Sequence, residues 1–369
     1  MTNPERGTAL CLSGGGYRAM LFHLGALWRL NEAGYLPRLN RISSVSGGSI
    51  TAGMLGYKWR ALAFGSDGIA RAFDTEIVQP LRAFAGTTCD EVSIASGLLL
   101  PGSIADQVTD AYRRQLFGEA TLQALPDQPR FVINATNVQS GGLWRFSKPY
   151  MADYRVGVVR NPAVKLAVAV AASSAFPPVL SPLRMTVDAG AYDPPSGQSS
   201  EDLHRAPFTT DPVLTDGGVY DNLGLETAWK RYQTILVSDG GGKMLEEADP
   251  KGDWARHALR INEIIDNQVR SLRKRQVIDA FLAGTRQGTY WGIRSHVADY
   301  ALPGGLICPP DHVAALAATK TRLKRMEPLL QERLINWGYA ICDTAMRKWV
   351  ALDLAVPAAF PFPASGVGA

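Results

Sequence analysis

Thr8-Ala9-Leu10-Cys11-Leu12-Ser13-Gly14-Gly15-Gly16-Tyr17-Arg18 is the stretch from which the fold can be read. Residues 8–13 form a short apolar run with the composition of a buried strand, and the three glycines break it with a tight turn. From residue 18 to 33 the apolar residues Met20, Leu21, Leu24, Leu27 and Trp28 recur at helical spacing, and Gly34 stands where a helix stops. The pattern repeats at once. Residues 41–45 read as a second short strand, Ser46-Gly47-Gly48 as a second glycine turn, and residues 49–58 as a second helix. Two strand–turn–helix units in succession predict a parallel sheet with helices on its faces.

Working outward, strands are expected at residues 131–136, 142–146, 213–216 and 234–238, with an edge strand at 289–297. Residues 61–128 read as a helical or loop insertion, and residues 162–172 as an Ala/Val-rich helix. Residues 192–212 are polar and proline-rich, a long loop that fits either a lid or a passive insertion. Residues 254–281 predict a long helix in which Leu259, Ile261, Ile264, Ile265, Val269, Leu272 and Phe281 share a broad stripe. Residues 311–352 read as helical. The expected organisation is a catalytic core over 1–245, carrying the insertion at 61–128 and the loop at 192–212, and a mainly helical C-terminal extension over 246–369 packed on that core.

Composition narrows the class. The 369 residues are 46% hydrophobic and 20% charged, which excludes global disorder, collagen and a coiled-coil rod. Cys11, Cys89, Cys308 and Cys342 lie far apart with no CxxC pair, so they predict free buried thiols rather than a zinc site or a disulfide framework. A net charge of +4 is too weak to argue for a nucleic-acid partner. No apolar run follows a basic start, so no secretory signal is expected. The longest apolar stretch free of acid and base, residues 166–183, contains Pro177, Pro178 and Pro182 and is a poor membrane span. The expectation is a cytoplasmic protein, with peripheral attachment to the inner membrane surface left open.

Three motifs could carry chemistry. In Ser44-Val45-Ser46-Gly47-Gly48-Ser49 a serine directly after a strand, followed by small residues and a helix, fits a nucleophile elbow. A plain serine N-cap fits the hexapeptide as well. Gly14-Gly15-Gly16, followed by Arg18, would present backbone N–H groups at a helix N-terminus, suited to a phosphate or to the oxyanion of a tetrahedral intermediate. Close strand–helix packing also explains such a loop. In Leu214-Thr215-Asp216-Gly217-Gly218 a carboxylate ends a strand, as a general base for Ser46 or as an ordinary turn. Asp188 and Asp239 are rival aspartates in similar settings.

Together and in this order the motifs resemble the patatin-like phospholipase family. Ala172-Ser173-Ser174-Ala175-Phe176-Pro177-Pro178 looks like that family's Ala-Ser-x-Ala-x-Pro element, and Gly217-Gly218-Val219-Tyr220-Asp221-Asn222 extends its aspartate motif. The resemblance covers about residues 8–242. It implies a three-layer α/β/α fold with a central, mostly parallel sheet and a helical C-terminal region. It also implies a Ser–Asp dyad that hydrolyses phospholipids or other acyl esters without a cofactor. On this chain Ser46 would be the nucleophile and Asp216 the base, and the amides of Gly14, Gly15 and Gly16, supported by Arg18, would form the oxyanion hole. Ser44 and Ala19 stand where the family often has glycine.

Three alternatives remain at this point. A Ser–Asp–His triad would need His257, His296 or His312. A site gated by a cyclic nucleotide second messenger would make the protein a bacterial anti-phage effector. A nucleotide-binding module would use the glycine loop, but the chain lacks a P-loop lysine. The basic clusters Arg270, Arg273, Lys274, Arg275 and Lys320, Arg322, Lys324, Arg325 read as solvated helix faces, with anionic headgroups or a nucleotide as their functional alternative.

Overall fold

Alternation along the first strand sets the layers. In β1 (Glu5–Leu12) Ala9 and Cys11 turn to one face of the sheet and Leu10 and Leu12 to the other, and all four are fully buried. A strand apolar on both faces needs helices on both. Leu10 and Leu12 pack in the cluster that holds α1 (Gly16–Glu32) and α2 (Gly47–Lys58), which follow β1 and β2 (Arg41–Ser44). The computed structural model describes residues 4–89, 104–195 and 203–368. Parts of the expected insertion (90–103) and of the expected loop (196–202) lie outside the described residues.

The insertion contributes α3 (Gln79–Ala85) and α4 (Ile104–Tyr112). Then come β3 (Arg130–Asn137), β4 (Leu143–Phe146), β5 (Tyr150–Asp153), β6 (Gly157–Arg160), α5 (Leu166–Ser173), β7 (Leu183–Arg184), β8 (Tyr192–Asp193) and β9 (Val213–Asp216). After them come α6 (Gly218–Asp221), α7 (Glu226–Trp229), β10 (Tyr232–Asp239), α8 (Trp254–Leu282), β11 (Gln287–Gly292), α9 (Pro310–Ala317) and α10 (Pro328–Trp349).

The sheet runs β11-β10-β1-β2-β3-β4-β5-β6-β8. It is parallel from β11 to β3 and antiparallel from β3 outward. The short β5 and β6, absent from the sequence expectation, extend the meander that β4 begins. The predicted edge strand is present, but it is β11 in parallel with β10, and it closes after Gly292. On the second face, Ala9, Cys11, Ile235 and Val237 pack against Leu223, Leu225, Ala228 and Val277 of the segment through α7 and of α8.

The C-terminal region is part of the same layers. β11 completes the sheet, and α10 crosses α1 at backbone contact. A Cβ on Gly338 would lie 1.9 Å from the Phe22 carbonyl oxygen, and one on Gly25 1.9 Å from that of Ile335, so only glycine permits the crossing. Buried Asp343 of α10 accepts from Arg29 of α1 and from Arg347, each at 2.8 Å. All four cysteines are free thiols.

One face is reversed from the sequence expectation. Arg270, Arg273 and Lys274 are not a solvated patch. They point inward, Arg270 to the Gly242 carbonyl oxygen (3.1 Å), Arg273 to Glu226 (3.3 Å) and Lys274 to Asp239 (2.6 Å). The apolar stripe of α8 therefore turns outward, and of that helix only Val277 and Ala280 are buried. The sequence reveals that a helix has two faces but not which one has a partner.

Candidate active site

The strand register brings two sequence-distant residues together. β2 pairs with β3 up to Ser44 opposite Ile133. β9 pairs with β3 in the opposite direction, Leu214 against Asn137 and Asp216 against Ala135. Since β4 occupies the other edge of β3 over the same residues, β2 and β9 lie on one edge and run head-on toward each other. Their ends, Ser46 and Asp216, meet where both strands stop.

Ser46 is held in a left-handed conformation, φ 52° and ψ −121°, which a non-glycine residue adopts only under constraint. Its side chain makes no capping bond to α2, so it is not a plain N-cap serine. Its N–H donates to Ser173 Oγ at 2.9 Å, and Ser173 Oγ donates to the Asn134 carbonyl at 2.6 Å. Asn134 Nδ2 in turn donates to the Ser44 carbonyl and to Ser43 Oγ, both at 2.9 Å. The Ser44 hydroxyl accepts from Ser49 Oγ at 3.0 Å. These buried hydroxyls fix the turn that lifts Ser46 out of the sheet. Ser46 itself is 8% exposed.

Asp216 is buried beside it. Oδ1 accepts from the Gly218 N–H at 2.7 Å, while Oδ2 accepts no bond of normal geometry among the described residues. Burial pushes the carboxyl up to about 7, and the Gly218 bond and the neighbouring Ser46 hydroxyl pull against that shift. The Ala172–Ala175 stretch laces this strand in place. Asp216 N–H and Thr215 Oγ1 both donate to the Ala175 carbonyl at 3.0 Å, and Thr136 Oγ1 donates to the Asp216 carbonyl at 2.8 Å.

The rival aspartates are engaged elsewhere. Asp188 is exposed and accepts from Gly190 N–H. Asp239 accepts from Lys274 and, at 2.7 Å, from the Tyr290 hydroxyl, so its carboxyl is held far below the usual range despite burial. No histidine among the described residues bonds to Ser46 or Asp216. His23 is buried between Ser238 Oγ (2.8 Å) and the Ser13 carbonyl (3.0 Å), and burial lowers its pKa to about 4.

The glycine loop lies against the elbow. Gly14 N–H is already engaged with the Asn222 carbonyl at 3.0 Å, whereas the Gly15 and Gly16 amides have no acceptor among the described residues. Gly16 has φ +60°, and a Cβ there would meet the Arg322 backbone oxygen at 2.6 Å. Arg322 thus packs on the loop and accepts from the Tyr17 N–H at 3.0 Å. Arg18 is buried beneath. Nε donates to the Gly240 carbonyl at 3.1 Å, Nη1 donates to the Thr319 carbonyl, and Nη2 has no partner among the described residues. Burial and nearby Arg270 lower its pKa to about 10. Arg18 thus clamps the glycine loop to the Gly240 and Thr319 backbone.

Sequence reasoning did not assign Ser173, Asn134, Asn222 or the 319–322 backbone to this site. Asn222 and Ser173 belong to motifs legible in the sequence, but their role depends on partners far along the chain, Ser46 for Ser173 and Gly14 for Asn222.

Comparison with known proteins agrees with this fold. The sequence model of the family described as Patatin-like phospholipase matches residues 10–229. Among solved structures the chain is similar to human GIVD cytosolic phospholipase A2, with a TM-score of 0.53 and 14% identity over 93% of this chain and 59% of that one. The same human enzyme in complex with methyl gamma-linolenyl fluorophosphonate gives 0.50 and 14% over 92% and 57%. The chain thus spans about three fifths of the length of these proteins, and at that identity the likeness is one of fold. No curated protein matches the sequence.

Proposed function

Because this chain belongs to the patatin-like phospholipase family, we propose that it is a serine acyl hydrolase of lipid esters, with Ser46 as nucleophile, Asp216 as base and the Gly15 and Gly16 amides as oxyanion donors. The observation that carries the reading is the head-on meeting of a strained serine and a buried carboxyl near neutral pKa beside two amides that have no acceptor among the described residues.

In this reading Asp216 Oδ2 takes the Ser46 Oγ proton as Oγ attacks the ester carbonyl carbon. The oxyanion accepts from the Gly15 and Gly16 N–H groups, which are fixed before the charge develops. The carbonyl–alcohol bond breaks, and the leaving alcohol receives the proton from Asp216. Water then attacks the acyl-serine and gives its proton to Asp216. The fatty acid leaves and the proton returns to Ser46. A pKa near 7 suits this shuttling, because a base must be both ionised and able to hold a proton.

The test is hydrolysis of a short-chain nitrophenyl ester and of a fluorogenic phospholipid by wild type and Ser46→Ala. Both activities are expected in wild type without added nucleotide, and both vanish in the variant. Activity that survives Ser46→Ala, or that appears only with a cyclic nucleotide, contradicts the reading.

A further inference from the structure

We propose that α8 is the element that seats this protein on an anionic phospholipid bilayer, with the mouth of the site facing the lipid. The inference rests on the reading of that site as a lipid acyl hydrolase.

An amphipathic helix on a protein normally buries its apolar stripe. α8 does the reverse. Trp254, Ile261, Ile265 and Leu272 follow the spacing i, i+7, i+11, i+18, which places them on one face, and their exposures are 86%, 41%, 55% and 53%. The opposite face carries the inward Arg270, Arg273 and Lys274. In the first turns Leu259 is 46% exposed as well, while Arg260 reaches back to the Leu245 carbonyl oxygen at 2.8 Å.

Its position ties it to the site. Asp266 of α8 acts electrostatically on Asp216, and Arg273 lies 3.6 Å from Asp221, just past the aspartate turn. Phe176 and Val179, just past the Ala175 carbonyl that holds Asp216, and Val219, three residues past Asp216, are exposed apolar residues as well. On the other flank of the loop that Arg18 clamps, Lys320, Arg322, Lys324 and Arg325 are exposed within six residues, Arg325 at 3.5 Å from Glu327, and the Arg322 backbone rests on Gly16. An apolar ridge beside an exposed cationic patch matches the acyl region and headgroups of an anionic bilayer. No described helix is long and apolar enough to cross a membrane, so the helix lies on the surface.

The test uses the full chain carrying Ser46→Ala, so that binding is read without turnover, in flotation with vesicles of phosphatidylcholine alone and mixed with phosphatidylglycerol. Binding is expected to both, tighter and salt-sensitive on the mixture. The variant Ile261→Asp/Ile265→Asp/Leu272→Asp should lose vesicle affinity by roughly 100-fold or more, because three exposed apolar side chains no longer leave water. In an otherwise wild-type background it should keep its thermal transition and its hydrolysis of the soluble ester. Unchanged vesicle binding by the triple variant overturns the proposal, as does a triple variant that instead dissociates a dimer. Equal, salt-insensitive binding to the two vesicle types also overturns it. A wild type inactive on the soluble ester refutes the reading of the site, a separate result from loss of flotation.

Discussion

Replacing Asp216 with asparagine should abolish activity and make the protein more stable at alkaline pH. The carboxyl sits at about 7 in the folded state against 3.8 unperturbed, mainly because burial penalises its ionised form. The folded state therefore holds a proton that the unfolded state releases. Stability falls as pH rises from about 4 to about 7 and levels off above that. Three pKa units at about 1.36 kcal/mol each make the full loss up to about 4 kcal/mol. Asparagine keeps an oxygen for the Gly218 N–H and never ionises. The stability difference between Asp216→Asn and wild type, measured by urea unfolding, should grow by about 3 kcal/mol between roughly pH 5 and pH 8. The wild-type rate on a soluble ester should rise through a single ionisation near 7. Asp216→Asn should lower kcat/KM by about 100-fold or more, the usual loss for a general base. A stability gap that is flat with pH, or a variant less stable than wild type near pH 8, refutes the argument from burial.

Other predictions follow from neighbouring geometry. Ser173→Ala removes the acceptor for the strained Ser46 N–H and the donor to Asn134, and should cost about 1–3 kcal/mol by thermal unfolding while lowering kcat more than it raises KM. Lys274→Met leaves the buried Asp239 carboxylate without its closest cation and should destabilise by about 3 kcal/mol near neutral pH. Because the Asp239 pKa is depressed in the fold, its stabilisation is present above about 4 and lost as pH falls, so wild type and Lys274→Met should converge in stability toward acid pH. Gly338→Val would press a side chain onto the Phe22 carbonyl and should prevent α10 from docking on α1, read as loss of the near-ultraviolet circular dichroism.

The parts of the fold that could be read ahead were those in which a strand ends in a glycine turn. Residues 213–216 form a strand at the expected bounds, and β1, β2 and their helices follow the same grammar. The four-residue β5 and β6 leave no such mark, because short strands inside a meander are defined by partners rather than by their own pattern. The site follows the same rule. Ser46 and Asp216 carry motifs, whereas the tie of Gly14 to Asn222 and the support of Gly16 by Arg322 come from chain crossings that local sequence cannot encode. The direction of α8 was hidden for a related reason. Periodicity shows that Ile261 and Ile265 share a face, but the partners that decide which face turns inward, Glu226, Asp239 and Gly242, belong to other elements.

The central claim is that Ser46 is a nucleophile activated by Asp216. Its most direct test is reaction with a fluorophosphonate probe, followed by peptide mass spectrometry on wild type, Ser46→Ala and Asp216→Asn. The account predicts a single adduct on Ser46 in wild type, none in Ser46→Ala and a much slower reaction in Asp216→Asn. An adduct on any other residue, or undiminished labelling of Ser46→Ala, would contradict it.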